Sequence, residues 1–113
     1  MTATITPRVT RHPVPDADGL IFRDGYGPVH EVARIGDGGI TGRVWRNVHR
    51  DDDGIHIEFD VTIDGIGGAS DDGLGSEPHR LRELAAVAQA TADELEEARA
   101  LQRHPAGRSR RTA

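Results

Sequence analysis

Between Val29 and Ile63 the chain alternates apolar and polar residues through three runs, VHEVARIG, GITGRVWRNVH and IHIEFDVTI. The pieces DG and RDDDG separate them. Period-two alternation is the pattern of strands with one buried and one wet face. In the third run Ile55, Ile57, Phe59, Val61 and Ile63 point one way. His56, Glu58, Asp60 and Thr62 point the other. Asp37-Gly38 suits a two-residue type I′ turn, in which both central residues need φ > 0. That turn would set Ile35 against Ile40, Ala33 against Gly42, Glu31 against Val44 and His30 against Trp45. Matching apolar faces in the second hairpin sets Val48 against Ile55 and Val44 against Phe59. The outer face then pairs Arg43 with Asp60, Trp45 with Glu58 and Asn47 with His56. Arg46 falls on the core side opposite Ile57, where a long stem can run along apolar surface to water.

An apolar sheet face needs a cover, and residues 78–103 supply one. Leu81, Leu84, Ala88, Ala92, Leu95 and Ala98 recur at three- and four-residue steps, the spacing of one helix face. Ser76 or Glu77 can cap the start, Pro78 suits the first turn, and Pro105 with Gly107 ends it. Strands are expected at about 19–24, 29–36, 39–49 and 54–63, with the last helical turns overhanging the sheet. Residues 64–75, with five glycines, form a linker. Residues 1–18 are expected to be an irregular leader, since Pro7, Pro13 and Pro15 each remove a backbone donor, with a short edge strand at ATIT (3–6) as the alternative. Residues 104–113 are expected to be a basic disordered tail. The expected fold is a single α+β domain over residues 19–103. It is a three- to four-stranded antiparallel meander packed on one face by a long C-terminal helix.

Strands followed by one Ala/Leu/Glu-rich helix, here LRELAAVAQATADELEEA, resemble small α+β proteins of unassigned function encoded by high-GC actinobacteria and their phages. The resemblance spans about residues 40–101. It implies the α+β fold and carries over no catalytic residue.

Charge and composition bound the function. The net charge is −5, all fourteen basic residues are Arg, and the last eleven residues hold four of them without an acid. Without those four the body stands near −9. The absence of cysteine excludes disulfides, thiolate metal sites and a cysteine nucleophile. No apolar run reaches the ~18 residues of a membrane span. MTATITPRVT has neither the basic nor the apolar region of a secretory signal. The expectation is a soluble cytoplasmic protein with no membrane partner and no cofactor.

No Ser/His/Asp order or carboxylate pair converges, so a non-enzymatic, macromolecule-binding role of regulatory, inhibitor or adaptor type is expected. Its partner would be another protein. The candidate binding residues are Trp45 and Arg43, the neighbouring Glu58 and Asp60, and the acidic hairpin end Asp51, Asp52 and Asp53. Trp45 either anchors an interface or is covered by the 19–26 segment with Tyr26. The Ala-rich helix 78–103 offers a surface for a homodimer. One alternative is nucleic-acid binding by Arg103, Arg108, Arg110 and Arg111, with salt-sensitive affinity. Another is a metal protein or enzyme using His56 and Glu58, with Asn47 and His49 or His30 nearby. The Asp runs at 16–18, 51–53 and 71–72 lack the spacing of a calcium loop and read as turn chemistry. Gly65, Gly67 and Gly68 do not complete a phosphate-binding pattern.

Overall fold

The structure, a computed structural model, describes residues 6–36, 39–66 and 78–103. Four strands, β1 (Val9–Arg11), β2 (His30–Ile35), β3 (Thr41–Asp51) and β4 (Gly54–Asp64), form one antiparallel sheet in the order β1-β2-β3-β4. Helix α1 (Pro78–Arg103) packs across one face. This is the α+β meander with a long C-terminal helix that the alternation implies. No helix among the described residues is long and apolar enough to cross a membrane.

The first strand is not where it was expected. Residues 19–24 form no strand; β1 lies inside the presumed leader and pairs Val9 with Ile35 and Arg11 with Ala33. Pro7 and Pro13 flank the few residues with free donors here, which keeps the strand short and at an edge. Ala17–Gly19 is a single 3₁₀ turn resting against β4. Residues 23–26 then make a miniature hairpin in which Arg23 and Tyr26 exchange both backbone hydrogen bonds, at 2.8 and 2.9 Å. Asp24 (φ 53°) and Gly25 (φ 86°) are both left-handed, as a type I′ turn requires. The segment leans on β3 through Gly27 N–H to Val48 O (2.9 Å) and Arg50 N–H to Gly25 O (2.7 Å).

Both expected hairpin registers are corrected, by even or compensated steps. Ile35 lies opposite Gly42 rather than Ile40. Gly36 (φ 91°) turns the chain early, and Ile40, 1% exposed, plugs the core from the loop. Asp37 and Gly38 lie outside the described residues. A bulge between Glu31 and Ala33 then places Glu31 opposite Trp45 and His30 opposite Arg46. The extra residue turns the Glu31 carboxylate away from the core face that Ala33 and Ile35 occupy. In the second hairpin Val48 faces Ile57 and Val44 faces Val61, two residues beyond the expected partners. A two-residue slip keeps every side chain on its face. Its cause is at the tip: Asp53 N–H donates to Asp51 Oδ1 (2.8 Å), an Asx turn that closes the hairpin at Asp51–Gly54.

The core is small: Ala33, Ile35, Ile40, Val44 and Val87 are sealed, with Phe59, Ile63, Leu84 and Leu95 packed around them. Gly42 marks a close approach of sheet to helix. A Cβ there would run into the side chain of Thr91 and lie 3.2 Å from Val87 Cγ1. Thr91, 2% exposed, satisfies its hydroxyl by donating to Val87 O (2.7 Å). The last turns of α1 do not overhang the sheet. β3 and β4 run eleven residues each, about 37 Å, close to the ~39 Å of a 26-residue helix. Ala98 is buried, and Arg11 of β1 clasps Glu94 with two hydrogen bonds (2.8 and 2.7 Å) and lies 3.3 Å from Glu97. These two carboxylates, Glu94 first, raise the pKa of the guanidinium. Arg46 faces the core as expected, 6% exposed, in a cleft of about 310 Å³ between the sheet and the end of α1.

Candidate functional site

The outer face of the sheet carries a diagonal ladder. Arg43, Trp45 and Asn47 each reach two residues past their direct partners on β4. Arg43 donates to Asp64 Oδ2 (2.8 Å), Trp45 Nε1–H to Thr62 Oγ1 (2.9 Å) and Asn47 to Asp60 Oδ2 (2.6 Å). Strand twist favours such diagonal contacts. The expected Arg43–Asp60 and Trp45–Glu58 pairs are therefore replaced: Arg43 lies opposite Thr62, and Trp45 opposite Asp60. Trp45 is half-buried with its indole N–H satisfied, so it is neither a freely exposed anchor nor sealed in the core.

Glu31 is a hub that sequence reasoning missed. Its carboxylate lies 2.7 Å from His12 Nε2, 3.2 Å from Arg34 and 3.3 Å from Arg43. Only the bulge brings it there, and a bulge leaves no mark in an alternating pattern. Glu58 and Asp60 are exposed on β4, and Asp51, Asp52 and Asp53 are exposed at the hairpin tip. Arg108, Arg110 and Arg111 lie outside the described residues, and Arg103 is the last residue of α1.

The hairpin tip gathers ionisable groups differently from the expected His56–Glu58 set. His49 sits directly opposite His56, and their rings stack at 4.8 Å with 19° between planes. His56 Nε2 is 2.8 Å from Asp51 Oδ1. That bond, with the N–H of Asp53, holds the Asp51 carboxyl below its usual pKa. Tyr26 lies beside His49, centroids 6.4 Å apart. His30 is on the core side, opposite Arg46. A two-residue Asp52-Asp53 turn was the available signal, since it alone puts position 49 opposite position 56.

The second missed feature is the free edge of β4. The tip is a two-residue hairpin, so its closing pair is hydrogen-bonded and the pattern alternates from there. His56, Glu58, Asp60 and Thr62 direct their backbone groups to β3. Ile57, Phe59 and Val61 direct theirs outward. Among the described residues no strand pairs with that edge and no backbone hydrogen bond reaches it. Beside it runs a groove of about 430 Å³, floored by residues 57–60 and flanked by Arg99 and Gln102 of α1.

Fold and site together define a small sheet-and-helix α+β domain in which β4 is an edge strand among the described residues. No protein-family model matches the chain, and neither a curated protein nor a solved structure does.

Proposed function

We propose that the protein is a non-enzymatic binding module that accepts an extended, basic segment of a partner protein along the β4 edge. The observation that carries this reading is an eleven-residue edge strand without proline, lysine or bulge, lying beside a groove. Natural sheets blunt such edges, and an unblunted one is a template for strand addition. Main-chain bonds from Ile57, Phe59 and Val61 would supply affinity, and Arg99 and Gln102 would contact the far side of the segment.

Charge selects the occupant. Glu58 and Asp60 project from the outer face at the centre of the strand, in a body near −9. Two copies of β4 pairing antiparallel about Phe59 would set Glu58 against Asp60 on both sides, and like charges directly opposite are destabilising. A strand bearing Arg or Lys at those positions gains instead. A homodimer through α1 has less to recommend it, because Leu81 and Leu101 are the helix's only large exposed apolar residues among those described.

Synthetic eight-residue peptides alternating β-branched residues with Arg, or with Glu, test this by fluorescence anisotropy. The Arg series is expected to bind roughly tenfold or more tightly than the Glu series, as a few cross-strand charge pairs would give. Glu58→Arg/Asp60→Arg should reverse the preference. Val61→Pro, which removes an outward-facing donor that β3 does not use, should abolish binding while the fold persists. Equal binding of the two series, or binding indifferent to both variants, would overturn the proposal.

A further inference from the structure

We infer that His49, Asp51 and His56 form a divalent-metal site at the hairpin tip, of the class that takes Zn²⁺. The inference is independent of strand addition at the β4 edge.

The geometry builds the site in three steps. First, the register makes His49 and His56 direct cross-strand neighbours on the outer face. Opposite Cβ atoms of a strand pair stand about 4.5–5.5 Å apart, so two imidazoles there can converge on one ion. Second, the Asx turn fixes Asp51 at the end of β3, with Oδ1 already 2.8 Å from His56 Nε2. Third, one potential ligand atom from each of the three side chains lies within 4.8 Å of the other two. Zn–N and Zn–O bonds of about 2.0–2.2 Å separate neighbouring ligand atoms by a little over 3 Å, so small side-chain rotations close the set.

The donor set names the ion. Two imidazole nitrogens and one carboxylate oxygen suit Zn²⁺ and its borderline neighbours, not Ca²⁺ or Mg²⁺, which want oxygen alone. Three protein ligands leave a fourth position for water or for a donor from another molecule. Tyr26 walls one side, held beside His49 by the hydrogen bonds of Gly25 and Gly27 to β3. The same side chains also latch the hairpin, His56 bonded to Asp51 and stacked on His49.

The test is calorimetric titration of the full chain with Zn²⁺ alone, repeated with Mg²⁺. One strong site is expected for Zn²⁺ and none for Mg²⁺. His49→Ala, His56→Ala and Asp51→Asn should each weaken it at least about tenfold, since even outer-shell changes at metal sites cost 10–100-fold. Glu58→Gln should leave it unchanged. Because the tip variants also loosen the hairpin, a second readout is needed. Co²⁺ bound to the wild type should show d–d absorption of a four- or five-coordinate nitrogen–oxygen site, and the spectrum should be lost in His49→Gln, which keeps side-chain bulk. Absence of a 1:1 Zn²⁺ complex, or one that survives both histidine substitutions, would overturn the inference.

Discussion

Ile35→Ala is expected to destabilise the protein by about 2–5 kcal/mol, the range for removing a buried aliphatic side chain from a packed core. Ile35 has no exposed surface and lies where β1, β2 and β3 meet, between Val9 and Gly42. Among the described residues the sealed cluster around it is Ala33, Ile40, Val44 and Val87, so little can shift to fill the space. Small domains hold about 5–15 kcal/mol in total. The loss is therefore a large share of stability, and the melting temperature should fall on the order of 10–30 °C. Val61→Ala, at a position 42% exposed on the open edge, should shift it far less. Thermal and urea unfolding followed by far-UV circular dichroism read both. Equal shifts would mean that the core is not where the structure puts it.

Gly42→Val is expected to cost about 1–3 kcal/mol by overpacking. The reason is not a glycine backbone angle, since Gly42 is ordinary strand. It is space: α1 lies so close that a Cβ meets Thr91 and Val87. The distinguishing result is non-additivity. Thr91→Ala removes the hydroxyl that the new Cβ would strike. Gly42→Ala should therefore cost less in that background than in the wild type. Contacting positions commonly couple by about 0.5–3 kcal/mol. Strict additivity in urea unfolding would contradict the placement of α1 over β3.

How much of this was legible in the sequence depends on which physical feature is asked for. Side-chain parity was legible. Arg46, Trp45, Phe59 and Asp60 lie on the faces that alternation assigned, because both hairpins differ from expectation in ways that preserve most of the faces. Register was not legible. Matching apolar faces leaves steps of two undetermined, and the choice fell to Ile40 plugging the loop and to the Asp51 Asx turn. Glu31 shows the limit of alternation: it reads as core-facing by period two, and only a bulge takes it to Arg34 and Arg43. β1 was missed because three residues between prolines carry too little pattern to outweigh the prolines. Asp-Gly turn chemistry is borne out at Asp24-Gly25, which makes a type I′ turn; Asp37-Gly38, assigned the same turn, lies outside the described residues.

The candidate site followed the same division. Trp45 drew attention as a lone tryptophan, yet its indole is used within the sheet by Thr62. The groove beside β4 involves Arg99 and Gln102, which nothing in a helical pattern singles out. The open edge itself is a property of topology, visible only once β1 is known to lie on the far side of β2.

Strand addition to β4 requires that its outer edge, unpaired among the described residues, is free in the dilute protein. Amide hydrogen exchange of the free protein, resolved by residue, tests it directly. Alternation is expected along β4: slow exchange at Glu58, Asp60 and Thr62, which face β3, and fast exchange at Ile57, Phe59 and Val61, which face outward. Uniform protection of all six amides in dilute protein would contradict it, because the edge would then already be occupied.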